Sequence, residues 1–402
     1  MQTELADFVR DTPEGREAQE ILRKCVHCGF CTATCPTYQV LGDDLDSPRG
    51  RIYLIKRALE GAPITEKTRL HLDRCLTCRA CETTCPSGVR YGRLVDIGRA
   101  VVEARTRRGP AERAKRAALA FGLPKAGLFG AALRLGRAAR PLLPRGLQQK
   151  VPAASPARSA WPAPRHRRKM LVLAGCVQPS IAPSINAAAA RVLDRNGISL
   201  IEAAQAGCCG ALRFHLNYQA EGRADMRALI DAWWPAVQSG EVEAIVMTAS
   251  GCGATVKEYG HLLAQDPAYR DKAARISSLT RDLCEVITPE MLGAGPERGK
   301  VAFQSPCTLQ HGQQLRGKVE ALLAKAGYRL TPVNDAHLCC GSAGTYSLLQ
   351  PEIAQELRSR KLSALQAGGP EVIATANVGC LTHLQGGSDT PVRHWIELVD
   401  VE

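Results

Sequence analysis

The sequence predicts a multidomain protein: a small all-α unit carrying two cysteine loops, followed by two repeated α/β cysteine-rich units. Three observations predict it. The run CVHCGFCTATCP at Cys25–Pro36 returns as CLTCRACETTCP at Cys75–Pro86. A second pattern also occurs twice: a cysteine ending a short apolar strand (Cys176, Cys307) and, 32 residues on in both copies, a CCG triplet starting at Cys208 and Cys339. A further cysteine just past a strand, Cys252 or Cys380, completes each copy, and a basic stretch separates the two patterns.

Taken in order, residues 1–104 form the helical unit. Glu14–Lys24 reads as a helix leading into the first run. Helices follow in SPRGRIYLIKRALEG and TEKTRLHLDRC, with Ser47 and Thr65 as N-caps. Residues 105–168 read as a linker dominated by Pro, Ala and Arg, and PAASPARSAWPAPRHRRK has no core periodicity. Within the linker Pro124–Arg140 suits one helix, with Pro124 at its first position and Pro141 ending it. Leu128, Ala132 and Leu135 share one face of it and Arg134 and Arg137 the other, while Phe129 and Leu133 blur the division. Residues 169–299 and 300–402 are the two repeats, in which helices such as Ser184–Asn196 and Gln313–Ala326 alternate with strands. Duplication predicts that they pack as a pseudo-symmetric pair.

Bulk composition narrows the function. Seventeen cysteines, grouped in C-x-x-C runs and adjacent pairs, point to metal or cluster binding in a reducing compartment. The polar, acidic opening MQTELADFVRDTPEGRE is unlike a secretory signal. The long uncharged run Met170–Ala190 contains Gln178, Pro179, Pro183 and Asn186, so it reads as a strand, a loop and a helix start. A cytoplasmic location is expected. The net charge of +13 is local: Glu103–Lys169 holds seventeen Lys and Arg against two acids, leaving −2 for the remainder. Only Phe121, Phe129 and Trp161 lie in that stretch, too few stacking platforms for nucleic-acid binding.

The spacing C-x2-C-x2-C-x3-C-P is that of a loop wrapping one corner of a [4Fe–4S] cubane, its fourth cysteine serving the other cluster of a pair. Cluster one then takes Cys25, Cys28, Cys31 and Cys85, and cluster two Cys75, Cys78, Cys81 and Cys35. Structural zinc and disulfides are the competing uses; two complete runs, each followed by proline, favour cubanes. His27 reads as a loop position or a hydrogen-bonding neighbour rather than a ligand. Arg49 and Arg51 either offset thiolate charge or form a solvated surface. In the repeats, Gly210 and Gly341 supply the backbone freedom for adjacent cysteines to face one centre. Cys176, Cys208, Cys209 and Cys252 would converge in one half, and Cys307, Cys339, Cys340 and Cys380 in the other. Cys284 stands outside both sets as a small buried hydrophobe.

These residues resemble the two-cluster, ferredoxin-like electron-transfer subunits with tandem CCG domains. That family includes iron–sulfur subunits of glycolate, lactate and anaerobic glycerol-3-phosphate dehydrogenases and subunits of heterodisulfide reductase. Within it the chain is most similar to the glycolate oxidase (glycolate dehydrogenase) type, through RKCVHCGFCTATCPTYQVLGDDLDSPRGRIYLIKRALEG, HLDRCLTCRACETTCPSGVRYGRL, AGCCGALRFHLN, TASGCGATVKEYG, HLCCGSAGTYSLLQPEIAQELRSRK and VRHWIELV. The heterodisulfide-reductase type ends each repeat in C-x-x-C. Here Ala249 and Asn377 replace the first cysteine of that pair, leaving four candidate ligands per half. A cubane, a simpler metal site and a redox-inert remnant are all open for these sets.

The resemblance implies an electron relay. Oxidising glycolate to glyoxylate removes a hydride equivalent, which calls for a flavin. The nearest glycine cluster, GAGPERG at Gly293–Gly299, has the wrong spacing for a dinucleotide site and reads as a surface loop. The FAD is therefore expected on a flavoprotein partner, from which single electrons reach the two cubanes and then quinone or another membrane acceptor. The basic linker would hold the complex on the inner face of the cytoplasmic membrane, or serve as a tether or flavoprotein docking surface. Alternatives are the equivalent subunit of a lactate or glycerol-3-phosphate dehydrogenase, and a heterodisulfide-reductase-like thiol enzyme.

Overall fold

A computed structural model describes residues 1–142, 160–293 and 295–400. The N-terminal unit is helical, with helices at Pro13–Lys24, Pro36–Leu41, Pro48–Leu59, Glu66–Asp73 and Tyr91–Arg105. Ser47 accepts from the Gly50 amide and Thr65 from the Thr68 amide, so both expected caps form. Ile21, Leu22, Ile55, Leu59, Leu72 and Leu94 are fully buried and close the core that carries the cysteine loops.

The segment expected as a linker is largely helical where it is described, with helices at Pro110–Gly122 and Ala126–Ala139 meeting at 110°. Two of its arginines are internal. Arg108 donates to Asp73 (2.6 Å) and Glu103 (2.8 Å), and Arg116 reaches Asp73 at 3.2 Å. Part of the basic excess is thus neutralised inside the fold. Lys125 takes the N-cap position of the second helix, so Pro124 precedes the helix rather than starting it. Leu133 is buried, Arg137 of this helix donates to the Ser180 carbonyl of the first repeat at 3.3 Å, and Leu128 and Leu135 face solvent. Of the expected aperiodic stretch 152–169, residues 152–159 lie outside the described residues, 160–167 carry no helix or strand, and Arg168 and Lys169 open the first strand.

Each repeat contains a four-stranded parallel sheet. The first has β1 (Arg168–Val172), β2 (Ile198–Glu202), β3 (Ala244–Met247) and β4 (Thr280–Asp282) in order β2-β1-β3-β4. The second has β5 (Arg298–Gln304), β6 (Tyr328–Leu330), β7 (Val372–Thr375) and β8 (Val392–His394) in the identical order β6-β5-β7-β8. The helix expected over Gln313–Ala326 is shorter, Lys318–Lys325, because left-handed Gln314 and Gly317 break the chain before it and a π-turn occupies Thr308–Gly312. Gly299 lies within β5, so only part of GAGPERG is loop. Among the described residues no single helix is long and apolar enough to cross a membrane.

The two repeats share one core, to which Val172, Ile185 and Leu193 contribute from the first and Val301, Leu322 and Trp395 from the second. His394 ties them together. Its Nε2 donates to the Thr248 carbonyl at 2.9 Å while Nδ1 accepts from the Ile396 amide at 3.3 Å. That pair of roles requires the neutral ring, and burial depresses its pKa to about 4. An unfolded histidine titrates near 6.5, so between these values the unfolded chain binds the extra proton and stability falls as pH falls. A shift of roughly 2.5 pH units corresponds to about 3 kcal/mol at most. Denaturation midpoints measured from pH 7.5 to 4.5 should fall less steeply for His394→Gln than for the parent chain; equal slopes would remove His394 as the cause.

Candidate metal centres

In both cysteine runs the residues flanking the second cysteine are left-handed: His27 (φ 59°) and Gly29 (φ 87°), then Thr77 (φ 54°) and Arg79 (φ 61°). Two such residues within three reverse the normal curvature and turn the first three sulfurs toward one point. Cys35 and Cys85 each precede a proline and adopt the extended backbone that this imposes (ψ 110° and 114°). Their side chains leave their own loops.

Two adjoining hollows result. One, of about 440 Å³, is lined by Cys25, Cys28 and Cys31 of the first run together with Cys85 of the second. The other, of about 300 Å³, is lined by Cys75, Cys78 and Cys81 together with Cys35. Cys81 and Tyr91 stand in the wall between them. All seventeen cysteines are free thiols. Among the described residues no three cysteine sulfurs lie within 4.8 Å of one another. A tetrahedral zinc ion, with Zn–S bonds of about 2.3 Å, needs its four sulfurs roughly 3.8 Å apart. The donor sets therefore fit centres of several irons better than a single ion.

The second hollow lies in a positive environment. Arg51 is only 1% exposed and donates to the His71 carbonyl (2.7 Å), to Thr37 Oγ1 (3.1 Å) and to buried Asp46 (3.3 Å), with Cys35 Sγ at 4.0 Å. Arg99, also buried, donates to the carbonyls of Leu72 (2.8 Å) and Cys75 (2.6 Å). Burial pushes the Cys75 thiol up, but Arg51 and Arg99 outweigh it and hold the thiol below its ordinary value. Tyr91 points its hydroxyl at Cys75 Sγ, 3.6 Å away. Arg49, by contrast, is solvated and pairs with Asp44 at 3.0 Å. His27 Nε2 binds the Arg49 carbonyl at 3.1 Å, so it braces the loop. Around the first hollow Cys28, Val26 and Phe30 are exposed.

In each repeat the four expected cysteines converge at the carboxyl ends of the strands, where open parallel sheets place their ligands. Cys176 follows β1 and Cys252 follows β3, on either side of the point where the strand order reverses. Mutual hydrogen bonding runs along Cys176, Cys208, Cys209 and Cys252; it holds Cys208 low and pushes Cys176 up. In the second repeat Cys307 lies 3.6 Å from Cys339, and the chain continues through Cys340 to Cys380. Gly210 (φ 80°) and Gly341 (φ 90°) are needed for conformation and for space: a Cβ would stand 2.5 Å from the Gly222 carbonyl oxygen and 2.5 Å from that of Ala354. Ala249 offers only a methyl group, whereas Asn377 Nδ2 donates to Cys380 Sγ at 3.6 Å. Cys284 is buried in the shared core, away from both sets.

Arg99, Tyr91 and Asp46 escaped the reading of the sequence. Arg99 carried a signal, since it occupies a turn of the apolar stripe Val95–Val102 where leucine would be ordinary. Asp46 carried none.

Such a fold and site define a two-cluster iron–sulfur electron-transfer protein with tandem cysteine-rich domains. Residues 21–89 match the 4Fe-4S dicluster domain, and residues 170–257 and 301–385 match the Cysteine-rich domain. The chain is 55% identical over 402 residues to the glycolate oxidase iron-sulfur subunit of Escherichia coli (strain K12), covering 100% of this chain and 98% of that one. It is 28% identical over 417 residues to the probable glycolate oxidase iron-sulfur subunit of Bacillus subtilis (strain 168), covering 96% and 93%. Lactate utilization protein A of Bacillus licheniformis is 26% identical over 226 residues, 54% of this chain and 91% of the relative. The chain belongs to the family of glycolate oxidase iron–sulfur subunits, and it holds iron–sulfur clusters as an oxidoreductase electron-transfer subunit.

Proposed function

We propose that the chain carries electrons from a flavoprotein that oxidises glycolate to glyoxylate, through two [4Fe–4S] clusters, to a membrane acceptor such as quinone. Cys25, Cys28, Cys31 and Cys85 would hold one cluster, and Cys75, Cys78, Cys81 and Cys35 the other. The observation that carries this is the pair of adjoining hollows, each lined by three cysteines of one run and the fourth of its partner. Bound clusters would supply one-electron chemistry with little reorganisation. The chain's residues set its conditions: Arg51 and Arg99 place positive charge at one hollow, and the exposed rim of Val26, Cys28 and Phe30 leaves the other open to a partner. The choice of glycolate follows the two relatives matched over nearly their whole length, a glycolate oxidase iron–sulfur subunit and a probable one.

Tagged chain purified with its flavoprotein should yield a flavin bleached anaerobically by glycolate. Bleaching by lactate or glycerol 3-phosphate, and not by glycolate, would transfer the subunit to one of those dehydrogenases.

A cytoplasmic, peripheral location on the inner membrane face belongs to the same proposal. The Ala126–Ala139 helix turns Leu128 and Leu135 outward beside exposed Arg134, a surface suited to the headgroup boundary of anionic lipid. Each cation near such a surface contributes about 1 kcal/mol. Leu128→Glu with Leu135→Glu should move the complex from sedimented membranes to the supernatant. Unchanged sedimentation would refute this contact and leave the relay untouched.

A further inference from the structure

The two cysteine runs share one grammar but not one setting. Cys81, which stands in the wall of both hollows, rides on a short helix of the second run, Ala80–Thr84. Both ends of this helix are gripped from outside the dicluster unit. At its start Arg79, left-handed at φ 61°, extends to the first cysteine-rich repeat and meets Glu258 fork to fork, Nη2 lying 2.8 Å from Oε2 and Nη1 against Oε1. On the way the arginine crosses the first turn of the Tyr91–Arg105 helix at Gly92, where a Cβ would stand 2.8 Å from its Nε. Near the end of the short helix Thr83 meets the second repeat. His311 Nε2 donates to the His337 carbonyl at 2.9 Å, and its Nδ1 lies 2.7 Å from the Thr83 hydroxyl.

Both grips are anchored. Glu258 follows the helix Ser250–Lys257 and precedes Tyr259, a wholly buried side chain whose hydroxyl donates to the Cys209 carbonyl at 2.7 Å. The ion pair is largely shielded, with the Arg79 side chain 15% exposed, and a two-pronged contact of this kind fixes direction as well as distance. His311 is buried in the π-turn that follows Cys307. A third contact holds the entry to the same run: the Tyr346 hydroxyl donates to the Arg74 carbonyl at 3.0 Å. The first run has no counterpart of either grip. Gly29 and Ala33 occupy the positions that match Arg79 and Thr83, and neither carries a group that could reach a repeat. Its loop faces solvent instead, through Val26 and Phe30.

We propose that the two repeats together clamp the second cluster from outside: Glu258 acting through Arg79, and His311 acting through Thr83, are positioning residues that set the Cys81 helix, while the first cluster depends on the dicluster unit alone. The inference rests on Cys75, Cys78, Cys81 and Cys35 holding a cluster. Removing a partner that orients a ligand from behind typically lowers metal affinity by about 10–100-fold.

The test uses the full chain, purified anaerobically, with each centre followed by its paramagnetic spectrum after reduction while a chelator withdraws iron. Arg79→Ala, Glu258→Ala and the double variant should all lose the second centre roughly 10–100-fold faster than the parent, and to the same degree, because either change already breaks the pair. Arg79→Lys should recover part of that loss. Thr83→Val breaks a separate grip, so combined with Glu258→Ala it should accelerate the loss further. The first centre should keep the parent's spectrum and rate throughout. Glu258→Gln, close to the parent in shape, repeats the comparison if Glu258→Ala folds poorly. Effects of Arg79→Ala and Glu258→Ala that add in the double variant, an unchanged rate in all of them, or equal acceleration at both centres would overturn the proposal. A failure of the dicluster reading shows separately, as Cys78→Ser retaining all its iron.

Discussion

Cys35→Ser is expected to cost the chain about four irons and to abolish the centre ringed by the second cysteine run, leaving the first run's centre intact. The geometry is specific on this point. Cys35 belongs to the first run by sequence, yet it lines the second hollow with Cys75, Cys78 and Cys81. Its backbone is extended before Pro36, and its sulfur lies 3.3 Å from Thr37 Oγ1 and 4.0 Å from Arg51, on the far side of its own loop. Cys35→Ser and Cys78→Ser should therefore share one residual paramagnetic spectrum, and Cys85→Ser and Cys28→Ser another. Spectra that instead paired Cys35→Ser with Cys28→Ser would assign each run its own cluster and break the crossed arrangement.

Arg51→Met should have the second large effect, on stability and potential together. The guanidinium is buried against Asp46, which is itself wholly buried and also bound by Arg74 at 2.8 Å, with His71 Nδ1 lying 3.1 Å away. Removing one partner of a buried ion pair costs about 3–5 kcal/mol; Arg74 still pairs with Asp46, which places the expected loss at the lower end of that range. The same substitution removes a cation close to Cys35 and Cys75, so the centre between them should become harder to reduce. Redox titration should show a lower midpoint for that centre alone, largely restored in Arg51→Lys. A lowered denaturation midpoint with an unchanged potential would make Arg51 a structural brace only.

How much of this was legible beforehand depended on how local each determinant is. The doubled cysteine grammar is local: left-handed residues at matching positions and a proline after the fourth cysteine act within a dozen residues, and the two loops came out alike. The strand–cysteine–CCG repeat was legible for the same reason, and the sheets share one order. The basic stretch was misjudged because composition does not reveal partners; Asp73, which anchors Arg108 and Arg116, lies outside it. The second repeat's contact with the dicluster unit depends on Tyr346 finding Arg74, a pairing across most of the chain. No spacing or periodicity encodes that.

The central claim is that this chain accepts electrons drawn from glycolate. It is tested most directly by adding glycolate anaerobically to the purified complex with its flavoprotein and following the iron–sulfur signals by electron paramagnetic resonance. Glycolate should bring up the reduced-cluster signals in the parent complex, and the signals of Cys35→Ser should lack the second centre. Flavin reduced by glycolate while the iron–sulfur centres remain oxidised would contradict the relay.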